Sequence, residues 1–186
     1  MPAAPTAAFS ANVTSGVVPL TVAFTDLSTG SPTSWAWDFN NDGTTDSTLK
    51  NPVFTYPAVG TYTVNLTATN SQGSDSEIKT DYITVIATPV APVAAFTANT
   101  TSGTAPLTVA FTDASTGTVP LTYQWDFSND GTIDATTRNA THTYPTAGNF
   151  TVNLTVTGPG GTDSEVKTDY ITVTEAPVAP VAAFSA

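Results

Sequence analysis

The chain has 186 residues, with 4 Lys and Arg against 15 Asp and Glu, a net charge of −11 and no cysteine. That charge repels nucleic acid and anionic lipid, so neither is a partner class, and no disulfide constrains the unfolded state. No stretch approaches the ~20 apolar residues of a membrane span, which excludes membrane insertion in this segment.

The opening Met1-Pro2-Ala3-Ala4-Pro5 has neither the basic start nor the apolar run of a secretory signal, and 1–6 reads as a linker. Pro2 to Phe9 aligns on Pro89 to Phe96, so Met1 falls where Thr88 stands and the N-terminus is expected to be a cut inside a longer array. Ala7 to Asn12 reads as a short apolar edge that turns at Ser15-Gly16. Leu20, Val22 and Phe24 then alternate with polar residues, the period-two signature of a half-buried strand. Thr33 to Phe39 is the next strand, with Trp35 and Trp37 on one face because they are two apart. Pro52 to Pro57 is short and bounded by prolines, as an edge strand would be. Thr61 to Thr69 predicts a central strand with Tyr62, Val64, Leu66 and Ala68 inward. A hairpin turn at Asn70 to Gly73 returns it as Ser74 to Val85. In that last strand Ile78, Tyr82, Ile83 and Val85 are expected to be buried, and Asp75, Glu77, Lys79 and Asp81 to face solvent.

The chain then repeats itself. Trp37-Asp38-Phe39-Asn40-Asn41-Asp42-Gly43 returns as Trp125-Asp126-Phe127-Ser128-Asn129-Asp130-Gly131, an offset of 125 minus 37, or 88 residues. A period that long is a whole small domain, longer than most solenoid repeats. The predicted organisation is a linker at 1–6, a first domain at 7–86, a proline-rich stiff linker at 87–93 and a second domain at 94–174. A linker at 175–180 follows, and 181–186 opens a third copy. Seven or so short strands with turns every 8 to 12 residues predict an all-β fold of two tandem immunoglobulin-like sandwiches.

The repeated acidic loop carries two readings. Asp38, Asn40, Asp42, Gly43 and Asp46 fall at positions 1, 3, 5, 6 and 9 of a calcium-loop pattern, and a hard cation wants six to eight oxygens. The candidate metal residues are Asp38, Asn40, Asp42, Thr44 and Asp46 in the first copy. Asp126, Ser128, Asp130, Thr132 and Asp134 are their counterparts. Position 12 holds Leu49 or Thr137 in place of a bidentate acid, so Asp26 or Asp113 would have to complete the site. The other reading is that these side chains bond to backbone amides in a turn while the tryptophan fills the core.

Little else suggests chemistry. His142, the only histidine, stands where the first repeat has Phe54 and reads as filler. Asp38 with Asp42 lacks the cleft of a glycosidase pair, so catalytic residues are expected to be absent. Trp35 and its counterpart Tyr123 are either core residues or platforms for sugar. Six Asn-x-Thr sequons occur, at Asn12, Asn65, Asn99, Asn139, Asn149 and Asn153, and Asn65 and Asn153 are expected on outward strand positions.

Four ordered motifs carry a resemblance: the P-L-T-V-x-F-T-D strand, the WDF-x-x-DG turn, the T-Y-P-x-x-G turn and the strand at Thr61 to Thr69. Over roughly 7–86 and 94–174 the chain resembles the PKD domain, an immunoglobulin-like family. The turn departs from the family by one additional residue. Members are commonly extracellular, in archaeal surface-layer and envelope proteins, bacterial secreted hydrolases and the ectodomain of polycystin, and they are non-catalytic. The resemblance therefore implies a structural or adhesive module of a surface or filament-forming protein, with calcium as the expected cofactor. Its partners would be other copies of the repeat, self-assembling through terminal strands, or an extracellular polymer. The alternative is a polysaccharide- or protein-binding accessory domain of a secreted hydrolase.

Overall fold

The computed structural model describes residues 3–178, and the chain divides into two compact units, Met1–Thr88 and Pro89–Ala186. The first unit has seven strands: β1 (Phe9–Ala11), β2 (Ser15–Val17), β3 (Leu20–Asp26), β4 (Ser34–Asp38), β5 (Val53–Tyr56), β6 (Gly60–Asn70) and β7 (Gly73–Ile86). They form a three-stranded sheet in the order β1-β3-β5 and a four-stranded sheet in the order β2-β7-β6-β4. The second unit repeats this with β8 (Phe96–Ala98), β9 (Ser102–Thr104), β10 (Leu107–Asp113), β11 (Thr122–Asp126), β12 (Ala140–Tyr144), β13 (Gly148–Gly158) and β14 (Gly161–Thr174). Its sheets run β8-β10-β12 and β9-β14-β13-β11. The all-β, two-sandwich architecture expected from the alternation is the one observed, with β5 at an edge and β6 inside its sheet.

The core of each unit lies between its two sheets. Val22, Phe24, Trp37, Phe39, Val64, Leu66 and Ile83 are fully buried in the first, each on the inward phase of its strand or just beyond it. A buried side chain of this size contributes about 1.5–3 kcal/mol, and this contribution must come from packing because no disulfide exists. Trp37 sits at the centre, its ring centroid 5.3 Å from Phe9, 5.5 Å from Phe24 and 6.0 Å from Phe39. In the second unit His142 packs tilted on Phe127 at 4.7 Å, where Phe54 stacks on Phe39 at 4.4 Å, so it is the filler that the alignment implied.

Two local expectations are overturned. Ser15-Gly16 is no turn: Ser15–Val17 forms a parallel strand on β7, with Gly16 opposite Val85, and β9 repeats this on β14. Ser-Gly is turn chemistry taken locally, but an open sheet edge offers unpaired amides and carbonyls that a short extended segment can satisfy. The second error concerns β7. Glu77 lies opposite the buried Leu66, and Ile78 lies opposite Asn65, so the acidic residue faces the sandwich and Ile78 is 54% exposed. Ile83 and Val85 share the odd-numbered phase of Glu77 and Lys79. Only Tyr82 leaves the even-numbered face, turned inward at a β-bulge where Asp81 has φ 52°.

The proline-bearing segments ahead of each unit are pinned to it. Thr6 exchanges amide–carbonyl hydrogen bonds with Thr29 at 3.2 and 3.0 Å, and Val93 does so with Thr116 at 2.9 and 3.1 Å. Val90 adds a bond from its amide to the Thr118 hydroxyl at 2.8 Å. The expected third copy at 181–186 lies outside the described residues.

Candidate functional site

The acidic loop begins where β4 delivers Trp37 into the core. The Trp37 amide donates to the Ser47 carbonyl at 2.8 Å, and the Asp46 amide donates to the Trp37 carbonyl at 2.7 Å, which closes the loop at its base. The indole Nε1–H donates to the Leu49 carbonyl at 2.9 Å, as Trp125 does to the Thr137 carbonyl at 2.9 Å. Position 12 of the cation pattern is thus used as a backbone anchor for the tryptophan.

Inside the loop the carboxylates face backbone amides. Asp38, only 7% exposed, accepts from the amides of Asn40 (3.3 Å) and Asp42 (3.2 Å) on Oδ1 and from Gly43 (2.8 Å) on Oδ2. Asp42 accepts from the Thr44 amide at 2.8 Å and from the Asn40 side-chain nitrogen at 2.9 Å. Asp46 accepts from the Phe39 amide at 2.7 Å. The second copy matches: Asp126 accepts from Ser128, Asp130 and Gly131, Asp130 from Thr132, and Asp134 from Phe127. The bend favours glycine: Gly43 and Gly131 both have φ +89°, and an added Cβ would meet nothing within 4 Å, so any other residue would be strained by conformation alone. Asn41 and Asn129, at φ 54° and 52°, occupy the left-handed region that asparagine tolerates.

The electrostatics follow from these bonds. The Asn40 side-chain amide, followed by the Thr44 amide, holds the Asp42 carboxyl below its ordinary value; for Asp130 the Thr132 amide leads. Tyr56 and Tyr144 are pushed well above the usual phenol range by burial and, second, by the charge of Asp46 or Asp134. Each donates its hydroxyl to the carbonyl of Phe39 or Phe127 at 3.2 Å, which ties β5 or β12 to the loop.

In this arrangement the carboxylates meet the chain's own amides, which is the geometry of the turn reading. Here three amides already converge on Asp38, and Asn40 turns its nitrogen toward Asp42. Among the described residues no three acidic or histidine side chains come together as a cation cage. Outside the loop, Asp26 accepts from the Ser28 amide at 3.0 Å, and Asp113 pairs with Arg138.

That pair yields a pH-dependent expectation. Burial pushes the Asp113 carboxyl up, but the Ser115 hydroxyl and amide and the Arg138 guanidinium outweigh it, so the net shift is downward. A carboxyl depressed in the folded state adds stability above its unfolded value near 4, and that stability is lost as pH falls through the lower folded value. Asp113→Asn should therefore destabilise the second domain near pH 7, and the deficit should shrink progressively below about pH 4. Urea melts at pH 7, 4 and 2.5 check this, and a deficit independent of pH would contradict it.

A second constellation was missed by sequence reasoning. Asp75 Oδ2 accepts from the Ala7 amide at 2.8 Å, Glu77 Oε2 from the Phe9 amide at 2.8 Å and the Tyr82 hydroxyl from the Ala11 amide at 3.0 Å. Lys79 donates to the Phe9 carbonyl, with its ammonium 4.5 Å from the centre of the Phe9 ring. Asp163, Glu165, Tyr170 and Lys167 do the same for Ala94, Phe96 and Ala98. The opening strand is thus laddered to β3 or β10 on one side and held by charged side chains on the other. The available signal was the odd-numbered phase that Asp75, Glu77 and Lys79 share with Ile83 and Val85.

Comparison with known proteins gives one family. A family model described as PKD domain matches residues 1–85 and again 86–173. No match was found among curated protein sequences. Among solved structures, the titin I-band fragment I67–I69 is 14% identical over 93% of this chain and 66% of that chain, with a TM-score of 0.54, a likeness of fold alone. A solution NMR structure from Methanosarcina mazei is 37% identical over 45% of this chain and 55% of that chain, at a TM-score of 0.36. The three N-terminal domains of the bacteriophage RB49 outer capsid protein Hoc are 15% identical, at a TM-score of 0.39, over 91% of this chain and 59% of that chain. The chain spans about half the length of the first solved chains it matches.

Proposed function

The chain belongs to the PKD domain family, twice over, and from that premise we propose that it is a non-catalytic extracellular spacer and adhesive module. It works as part of a surface or filament-forming protein, alongside further copies of its own repeat. The observation that carries this reading is the way the acidic loop bonds to itself. Its carboxylates accept from the chain's own amides, and the loop serves as a scaffold for Trp37 and Trp125. Calcium has no role in this proposal. Melting in millimolar calcium and in chelator should give the same midpoint; a rise in calcium would reinstate a cation site.

The accessory-domain alternative needs a row of exposed aromatic rings. Among the described residues the large exposed hydrophobics are all aliphatic, such as Val53, Leu49 and Ile78. Trp35 is half-buried against the core, with the Lys50 ammonium 5.6 Å from its ring centre. Chitin, cellulose and collagen should therefore retain no protein in pull-down. Retention that Trp35→Ala abolishes while the fold persists would favour the alternative. Assembly through terminal strands is the finer part of the proposal. Sedimentation should show association growing with concentration, and a monomer throughout would remove this part.

A further inference from the structure

We propose that Asn12 and Asn99 are acceptors for an N-linked oligosaccharide, and that Asn65 and Asn153 are not. Asn12-Val13-Thr14 and Asn99-Thr100-Thr101 occupy the same place in the two repeats, between β1 and β2 and between β8 and β9. Both asparagines and both threonines are exposed. Each asparagine is oriented by the strand beside it. Asn12 Oδ1 accepts from the Ala23 amide at 2.8 Å, and its own amide donates to the Ala23 carbonyl at 3.0 Å; Asn99 does the same with Ala110 at 2.8 and 3.0 Å. A carboxamide whose oxygen is fixed on the sheet presents its nitrogen on the other side. Nδ2 of Asn12 and of Asn99 makes no hydrogen bond to any described residue.

Asn65 and Asn153 stand in the opposite situation. Both lie within the interior strands β6 and β13, and the Oδ1 of each is buried without a partner. The middle residues of their sequons, Leu66 and Leu154, are 0% exposed. An acceptor tripeptide must leave its surroundings to enter a transferase, and here that would pull a core leucine out of the sandwich. The outward strand phase expected for these two asparagines therefore does not make them accessible. Releasing the favoured tripeptides breaks the two bonds to Ala23 or Ala110 and the bond from the Thr84 or Thr172 amide to the Thr14 or Thr101 carbonyl, but it moves no buried side chain, Val13 being 37% exposed.

The donor class is a polyprenyl-pyrophosphate-linked oligosaccharide. Nδ2 attacks C1 of the first sugar, and the N–C1 bond forms as the C1–O bond to pyrophosphate breaks. The bonding electrons leave with the polyprenyl pyrophosphate, and one Nδ2 proton passes to a base of the transferase. No redox partner is needed.

The inference rests on the extracellular reading only for the meeting of chain and donor in a cell. Its test therefore uses the purified, folded full chain with a single-subunit oligosaccharyltransferase that requires only Asn-x-Thr, followed by peptide mapping. The enzyme is chosen to modify free peptides containing each sequon. Asn12 and Asn99 should be modified, each addition vanishing in Asn12→Gln or Asn99→Gln with an unchanged circular dichroism spectrum. Asn65 and Asn153 should lag by more than about a hundredfold, because an interior strand must open first. Equal rates at Asn65 and Asn12, or an unmodified Asn12 and Asn99 in the folded chain, would overturn the proposal. Either result would leave the surface-module reading standing, since the reaction is run outside any cell.

Discussion

Trp37→Ala should destabilise the first domain by about 4 kcal/mol, the middle of the range for truncating a buried aromatic. The ring is 0% exposed and touches both sheets through Phe9, Phe24 and Phe39. Truncation leaves a cavity and also orphans the Leu49 carbonyl that accepts its Nε1–H at 2.9 Å. For a domain of this size the midpoint should fall by roughly 15–30 °C. Scanning calorimetry should resolve this as one transition moved, with the second domain's transition in place, because each unit has its own buried cluster. Trp125→Ala should produce the mirror result. A coordinated loss of both transitions would mean that the two units do not fold independently.

The second large effect is expected at the start of the acidic loop. Asp38→Ala removes an acceptor of three amides and should cost about 3 kcal/mol, since bonds to a charged group exceed neutral ones and the freed amides sit in a partly buried turn. Asp38→Asn should recover little. It keeps one oxygen but places an NH2 group opposite an amide that needs an acceptor. Chemical denaturation measures the loss, and calcium should not restore it in either variant. Asp42→Ala, at a fully exposed position, should change stability far less. A loss below about 0.5 kcal/mol for Asp38→Ala would show that the loop needs no such anchor, and the scaffold reading would fail with it.

These two residues also show how far the chain could be read unaided. Trp37 and Asp38 announce themselves as neighbours written twice, and the alternation of Leu20, Val22 and Phe24 or of Val64, Leu66 and Ala68 places strands by side-chain period alone. What a carboxylate faces is different. A string of aspartates and asparagines around glycine is equally compatible with oxygens aimed at a cation or at amides. The choice depends on backbone angles, such as those of Asn41 and Gly43, that no spacing rule specifies. Position 12 illustrates the point: Leu49 has no side-chain ligand to offer, yet its carbonyl fastens the tryptophan.

The same division holds across the whole molecule. Local sequence was sufficient for the all-β class, the two domains of one design, the edge position of β5 and the family, because period-two alternation, prolines and an 88-residue self-match are properties of the string. Only the tertiary structure decided which face of β7 turns inward. Its register on β6, with Glu77 against Leu66, sends Asp75, Glu77 and Lys79 to hold the opening strand some seventy residues earlier, and leaves Ile78 in solvent. A charged residue satisfied by a distant backbone looks, in sequence, the same as one satisfied by water.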